Sequence, residues 1–278
     1  MTFSEDLTVV ITTFYSDDKI IDCLNSIDTS IRVIIVENSN RKEFKSKIEK
    51  QFNNVECVLA GSNLGYGNAN NIGIAKSNTQ YVLILNPDAK LEENAIKNFF
   101  LRCKDNLDFA IIGPHIQEEH KNYYSKSDHL IQVDSVKGFA MFLNLKQLNK
   151  NQVFDENIFI YFEEIDLCRR LGLKGKKVFV DPKIRVYHSG GNSHNQEINH
   201  AMELSRNWHW MWSSFYYQKK YRGFLLAFFI LSPKLFSALF KTGVYYFFNK
   251  KKYEIYCHRL SGLSSAIMAR KSWYRPKV

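Results

Sequence analysis

The sequence predicts an α/β fold: a mostly parallel central sheet with helices on its faces, followed by a helical extension that is basic and aromatic. Three observations carry this expectation. Short β-branched apolar runs alternate with amphipathic helical patterns over the first hundred residues, as strand–helix–strand crossovers between parallel strands require. The chain has 278 residues, 45% hydrophobic and 24% charged, an ordinary globular balance with ample material for a core. Charge is unevenly divided: of the formal net +10, residues 216–278 hold thirteen Lys and Arg against Glu254 alone, leaving −2 for residues 1–215. The high pI therefore belongs to the extension, and a nucleic-acid-binding body loses its electrostatic support.

LTVVIT, residues 7–12, reads as a buried strand, and DDKIIDCLNSI (17–27) places Ile20, Ile21, Leu24 and Ile27 on one helical face. IRVIIVEN (31–38) repeats the strand, and RKEFKSKIEKQF carries Phe44, Ile48 and Phe52 at spacings of four. VECVLA (55–60) and YVLIL (81–85) continue the strands, and LEENAIKNFFLRC (91–103) is the next helical pattern. Between them, GSNLGYGNANNIG (61–73) reads as a loop, either plainly flexible or ligand-facing. Its glycines permit close backbone approach, and Asn63, Asn68, Asn70 and Asn71 offer amide donors and acceptors. It has neither dinucleotide nor P-loop spacing. Ligands of open parallel sheets bind beyond the carboxyl ends of the strands. Polar groups gather there in Thr12-Thr13-Phe14, Glu37-Asn38-Ser39 and Asn86-Pro87-Asp88. The last of these aims a carboxylate past the tip of an apolar strand, although the same residues also make a simple turn.

The second half supplies a different constellation. KGFAMFLNL (137–145) reads as a strand that begins at Gly138, where a small residue lets something pack against the chain. FDENIFIYFEEIDLCRRLGLKG (154–175) then places Glu163, Glu164 and Asp166 within four positions at the start of a helix. Acids there complement the helix dipole, while Phe159, Tyr161 and Phe162 beside them would desolvate a carboxylate and raise its pKa. His188 closes the strand KVFVDPKIRVYH before a Ser-Gly-Gly turn. The five cysteines, Cys23, Cys57, Cys103, Cys168 and Cys257, are scattered without metal-ligand or disulfide spacing, so a reduced cytosolic compartment is expected. MTFSEDLTVVITTF lacks the features of a signal peptide.

In the extension, Pro233, Lys234 and Lys241 interrupt the apolar residues 223–248. The longest uninterrupted run, 224–231, falls short of the about 20 residues that a bilayer span takes. Trp208, Trp210, Trp212, Tyr216, Tyr217, Tyr245 and Tyr246 accompany basic residues, a composition suited to a membrane interface. A helical subdomain or a dimer contact is the alternative. The expected division is residues 1–215 and residues 216–278.

Taken in order, Glu37-Asn38-Ser39, Asn63-Leu64-Gly65 through Asn71-Ile72-Gly73, Asn86-Pro87-Asp88, Gly138-Phe139-Ala140-Met141, the run from Tyr161-Phe162-Glu163-Glu164 to Arg169-Arg170, and His188 resemble family 2 glycosyltransferases. The nearest look-alikes are rhamnosyltransferase-like members that build bacterial surface polysaccharides, and the resemblance covers residues 7 to about 195. It implies the GT-A fold, a nucleotide-diphosphate sugar donor, a divalent cation (Mn²⁺ or Mg²⁺), and inverting transfer to a saccharide acceptor, here expected to be lipid-linked. By position, Asp88 and His188 match the metal ligands. Glu164 matches the catalytic base, with Asp166 as the alternative and Glu163 orienting the acceptor. Thr12, Phe14, Glu37, Asn38, Asn63, Gly65, Asn71, Asn86 and Gly138 match the nucleotide-sugar pocket. The chain departs from the family pattern at Asn86, where the first acid of Asp-x-Asp is replaced, and at Glu37 and Glu164, where Asp is usual. The implied setting is cytoplasmic, peripheral on the inner face of the cell membrane, with homo-oligomerisation left open. Two rivals fit less well. A sugar-phosphate nucleotidyltransferase needs a Gly-rich basic phosphate loop after the first strand, which TTFYSDDK (12–19) does not supply. A non-catalytic module binding RNA or acidic lipid has no use for Asp88 together with the 161–170 cluster.

Overall fold

Strand β1 (Leu7–Thr13) is buried along its whole length, as its unbroken apolar run demands, and the sheet extends from both of its edges. The computed structural model describes residues 3–105, 108–117, 129–188, 193–276 and 278. A short helix α1 (Phe3–Asp6) leads into β1. There follow α2 (Asp17–Asn25), β2 (Arg32–Glu37), α3 (Lys42–Gln51), β3 (Val55–Leu59), α4 (Tyr66–Lys76), β4 (Tyr81–Leu85), β5 (Ala89–Leu91) and α5 (Ala95–Asp105). Then come β6 (Phe109–Gln117), β7 (Ile131–Gln132), β8 (Ala140–Asn144), α6 (Glu163–Leu173), β9 (Lys177–His188), α7 (Asn199–Arg222), α8 (Phe224–Phe248) and α9 (Lys250–Ile267).

The sheet order is β3-β2-β1-β4-β8-β6-β9-β5, with β7 paired to β9. The pairs β1–β2, β1–β4 and β2–β3 are parallel, as expected. The second half is mixed: β8 lies antiparallel between β4 and β6, β9 runs parallel to β6, and β5 runs antiparallel to β9. Register sets the position of the site. Thr13 pairs with Glu37, Ile11 with Leu85, Leu85 with Ala140 and Ala89 with His188. The polar tips of β1, β2 and β4, the start of β8 and the end of β9 therefore emerge at one end of the sheet.

Side-chain alternation along β1 divides the core. Leu7, Val9 and Ile11 pack with Ile20, Phe44 and Phe99 on one face, and Val10 packs with Ala69, Ile74, Leu167 and Leu171 on the other. The expected loop at 61–73 is corrected here: most of it is α4, which starts after Gly65 in the left-handed region at φ 85°. Gly73 lies in that helix because a Cβ there would sit 2.4 Å from Val10 Cγ1. Its glycine serves close helix–strand packing.

The chain forms two compact units, residues 1–155 with 164–195, and residues 156–163 with 196–278. In the second, Trp208, Met211, Trp212 and Phe215 of α7 pack with Ala227 and Leu231 of α8 and Leu263 and Ala266 of α9. The α7–α9 crossing is so close that a Cβ on Gly262 would lie 2.2 Å from the Trp208 carbonyl oxygen. The boundary expected at 215/216 falls inside α7, next to the fully buried Phe215. Charge marks the last turn of that helix, whereas packing begins much earlier.

Helix α8 corrects the expected limit on apolar length, because it continues through Pro233 for 25 residues. Proline removes the amide that would bond the carbonyl four residues back. That carbonyl, on Phe229, accepts instead from Ser232 Oγ at 3.0 Å. Among the described residues α8 is the one helix long and apolar enough to cross a membrane, and only 17% of its most apolar stretch is buried.

Gly73→Ala is expected to cost about 1–3 kcal/mol by overpacking, read as a lower urea midpoint. Val10→Ala in the same chain should recover part of that loss, because the clash is with the Val10 side chain; a double variant no more stable than Gly73→Ala alone would place the constraint elsewhere.

Candidate active site

The turn after β4 is held at both ends, with Asn86 N–H donating to Phe139 O at 2.8 Å and Ala89 N–H to Asn86 O at 3.1 Å. This directs Asp88 inward, where its side chain is fully buried. Ser193 Oγ donates to Asp88 Oδ1 at 2.8 Å, and His188 Nε2 lies 3.4 Å from the same oxygen. Asp88 Oδ2 is buried with no hydrogen-bond partner among the described residues. The His188 ring stacks on Phe139 at 4.5 Å, nearly parallel, and its Nε2 lies 3.3 Å from Asn86 Nδ2. Burial raises the Asp88 pKa, but the hydrogen bond and charge of His188, aided by Ser193, outweigh it, and the carboxyl ends below its ordinary value. An ionised carboxylate with one bare, buried oxygen beside an imidazole fits a divalent cation. Among the described residues there is no group of three or more His, Cys, Asp or Glu that could hold one.

The acidic helix presents its carboxylates in three environments. Glu164, in the first turn of α6, is partly exposed and lies against Gly138, where an added Cβ would be 3.8 Å from its Cβ, Cγ and Cδ. A Cβ at Gly138 would thus stand in ordinary van der Waals contact with the Glu164 side chain. Burial pushes the Glu164 pKa up, with backbone hydrogen bonds and the charge of Lys137 offsetting part of the rise. Asp166 is fully buried and accepts from Arg170 Nε at 2.7 Å, while Arg170 Nη2 donates to Val153 O at 2.6 Å. Arg170, held by Asp166, thereby ties α6 to the 153 loop. Glu163, at the first position of the helix, is buried. The adjacent residues Gly138 and Phe139 thus touch Glu164 and His188 respectively, and Tyr66 Oη donates to the Gly138 carbonyl.

The residues expected around the nucleotide divide between open and committed side chains. Glu37 is fully buried; Oε1 accepts from the Ser39 amide at 3.2 Å and from the Ser39 hydroxyl, and Oε2 from the Arg41 amide at 2.9 Å. Its carboxylate builds its own turn. Asn38 ties the β2 tip to the start of α4, donating to Gly65 O at 3.0 Å and accepting from Leu64 N–H at 3.3 Å. Asn63 Oδ1 accepts from Gly65 N–H at 3.1 Å. Asn71 is taken up by the Phe154 backbone at 2.8 and 3.0 Å, which fixes the loop before α6. Thr12 Oγ1 donates to Asn70 Oδ1 at 3.1 Å, and Asn70 Nδ2 is buried with no hydrogen-bond partner among the described residues. Phe14 is half-buried, edge-on to Tyr15.

Sequence reasoning assigned no site role to Phe139, although it stands in the quoted Gly138–Met141 motif, nor to Ser193, Tyr66, Lys137 and Arg41. Arg41 pairs with both Asp17 oxygens at 2.7 and 3.2 Å and lies 4.7 Å over the Tyr15 ring. Only Lys137 carried a signal, as a charge beside Gly138; the rest depend on contacts distant along the chain.

A family model described as Glycosyl transferase family 2 matches residues 8–173. A low-salt glycan biosynthesis hexosyltransferase of Haloferax volcanii is 25% identical over 194 residues, 61% of this chain and 62% of that protein. The rhamnosyltransferase WbbL of Escherichia coli K12 is 22% identical over 227 residues, covering 69% and 83%. The dTDP-rhamnosyl transferase RfbF of Shigella flexneri is 23% identical over 195 residues, covering 61% and 65%. This chain therefore spans less than two thirds of the length of the Haloferax and Shigella relatives. Among solved structures, S. aureus TarS 1–349 in complex with UDP-GlcNAc superposes with a TM-score of 0.57 at 11% identity, covering 97% of this chain and 93% of that one. The mannosyltransferase PcManGT of Pyrobaculum calidifontis, in complex with GDP-Man and Mn²⁺, gives 0.56 at 12% identity, covering 95% and 88%. These likenesses establish the GT-A fold.

The environments of the two helix carboxylates predict opposite stability effects. Asp166→Asn breaks a buried ion pair and is expected to cost roughly 2–4 kcal/mol, whereas Glu164→Gln removes a desolvated charge and should leave stability within about 0.5 kcal/mol of wild type or raise it. Chemical denaturation of both variants reads this; an unaltered midpoint for Asp166→Asn would return Asp166 to the list of candidate bases.

Proposed function

The chain belongs to glycosyl transferase family 2, and from that membership we propose that it transfers a sugar, with inversion, from a nucleotide-diphosphate donor to a lipid-linked saccharide in cell-surface polysaccharide synthesis. The observation that carries this reading is the pair Gly138-Phe139, whose two neighbours are the raised carboxylate of Glu164 and the imidazole beside Asp88. An acceptor hydroxyl needs a base, and a departing diphosphate needs its charge balanced. The two requirements are served on either side of one dipeptide.

Glu164 takes the proton of the attacking hydroxyl. Its raised pKa makes it a stronger base than an ordinary carboxylate. Asp88 and His188 are the residues that would hold a divalent cation, with the bare Asp88 Oδ2 as the open ligand atom. Such an ion, when bound, neutralises charge on the leaving diphosphate, and an imidazole ligand favours Mn²⁺ over Mg²⁺. Thr12 and Phe14 at the end of β1, with Asn63 and Gly65 in the loop between β3 and α4, would face the donor, while Glu37, Asn38 and Asn71 hold the backbone around them. The names of the Escherichia and Shigella relatives favour a rhamnose-type donor.

The proposed site of work is the inner surface of the cell membrane. On α8, Leu225, Phe229, Phe236, Phe240 and Phe247 are all exposed and recur at intervals of four and seven, forming one stripe along the helix. Lys234 and Lys241 share the helix, and Lys250, Lys251 and Lys252 open the next one. Apolar insertion beside basic charge matches an anionic leaflet, each Lys or Arg near the surface contributing about 1 kcal/mol.

Glu164→Gln is expected to lower kcat by about 10²-fold or more with donor affinity near wild type, measured as release of nucleotide diphosphate across a panel of donor sugars. Asp88→Asn should abolish the Mn²⁺ dependence of donor binding in calorimetric titration; binding that still responds to Mn²⁺ would remove Asp88 from the ligand set. Replacing Leu225, Phe229 and Phe240 by Asn should stop flotation with anionic vesicles, whereas high salt should only weaken it. Protein that ignores vesicles at low salt yet dimerises through this face would assign the stripe to a second copy.

A further inference from the structure

We infer that Ser193 is a positioning residue for the cation: its hydroxyl holds one oxygen of Asp88 so that the other is presented, and the loop after β1 holds Ser193 in place. This deepens the proposed function and rests on the reading of Asp88 as a ligand to a divalent ion.

The backbone of the turn after β4 sends the Asp88 side chain inward but does not choose which of its oxygens meets a ligand. The last torsion of an aspartate is broad and roughly two-fold, so a carboxylate without a fixed partner exchanges its oxygens by rotating. Hydrogen bonding makes the choice here. Ser193 Oγ donates to Asp88 Oδ1 at 2.8 Å, and His188 Nε2 stands 3.4 Å from that same oxygen. Oδ2 is buried with no hydrogen-bond partner among the described residues. A serine hydroxyl has one hydrogen to give, and Ser193 gives it to Asp88. Such a bond to an ionised carboxylate is roughly twice as strong as one between neutral groups.

Ser193 is itself held by a loop 177 residues earlier in the chain. Ser16 is the N-cap residue of α2, where a serine side chain ordinarily accepts from a helix amide. It makes no such bond. Fully buried, it donates from Oγ to Ser193 O at 2.6 Å and accepts from the Phe14 amide at 3.1 Å. Asn195 N–H donates to Tyr15 O at 2.7 Å, and Asn195 Nδ2 donates to Asp17 Oδ2 at 3.5 Å. The segment is thus fastened at the Ser193 carbonyl and again two residues on.

The loop after β1 is fixed in turn. Tyr15 lies in the left-handed region at φ 50°, which a bulky residue keeps only where its surroundings over-determine it. Its amide donates to Ser39 Oγ at 3.1 Å, and Arg41 covers its ring at 4.7 Å while pairing with both oxygens of Asp17. A relay of hydrogen bonds therefore runs from the tip of β2 through Tyr15 and Ser16 to Ser193, and ends on Asp88. Without the Ser193 hydroxyl, Asp88 would lose the donor that fixes Oδ1, and an arriving ion would have to orient the carboxylate itself. Removing a group that orients a metal ligand typically costs 10–100-fold in affinity.

Uptake of Mn²⁺ by the full-length protein, followed as loss of the free-ion EPR signal, tests this without turnover. Ser193→Ala should weaken Mn²⁺ binding by roughly tenfold to a hundredfold, and Ser193→Thr, which keeps the hydroxyl, should recover much of it. Ser16→Ala should weaken binding by a smaller factor and add little in a Ser193→Ala chain, because it acts through Ser193. Wild-type Mn²⁺ affinity in Ser193→Ala, beside a loss in Asp88→Asn, overturns the inference and leaves Asp88 as a ligand. A weakening that only follows the fraction folded in thermal melts of the metal-free proteins overturns the inference as well. Unchanged Mn²⁺ uptake in Asp88→Asn overturns the ligand assignment and the inference together.

Discussion

Two-edged, two-faced burial of β1 is the constraint on which the first unit depends. Its backbone is paired in parallel with β2 on one side and β4 on the other, and its side chains alternate between two apolar layers. A one-residue slip would turn Val9 and Ile11 toward the layer that Val10 now occupies, exchanging the two sets of packing partners. With that register fixed, parallel direction brings every polar strand tip to the same end. Helix α4 seats on β1 where Gly73 leaves room for Val10.

At that end, four acidic side chains of similar chemistry have different duties because their surroundings differ. Glu37 is capped by the amides of its own turn, Asp166 by Arg170, and Asp88 is kept ionised by His188 and Ser193, with one oxygen bare among the described residues. Glu164 faces the charge of Lys137, and burial gives it a raised pKa. Separating carboxylates in this way lets one bind and another accept a proton at the same pH.

The second unit links properties that its sequence distributes over more than a hundred residues. The close α7–α9 crossing at Gly262 buries Trp208, whose indole N–H donates to Ser261 at 3.1 Å. The same helices support α8, with its exposed aromatic stripe, and the residues that meet Phe159, Ile160 and Tyr161. The extension is therefore built together with residues 156–163 rather than appended at residue 216.

Much of the fold is legible in the sequence where the determining pattern is local. Short apolar runs disclosed β1 to β4 and helical periodicity disclosed α2, α3 and α5, because burial is written into every few residues. The Asn86-Pro87-Asp88 turn and the placement of acids at the start of α6 are local in the same sense. Helix α4 was hidden because its glycines and asparagines have low helix propensity, and only contact with β1 explains why Gly73 belongs in a helix. The Gly113-Pro114 pair hid β6, a strand that pairs with β8 and β9 across a register shift. The sequence by itself determined the chemistry available: which carboxylates, imidazole and glycines exist, and which strand tips they follow. Tertiary structure decided which of those groups are committed and which are open, since Glu37, Asn71 and Asp166 find partners in the folded chain while Asp88 Oδ2 finds none among the described residues. Hydrogen bonds and desolvation depend on distance in space, and neither is encoded by spacing along the chain.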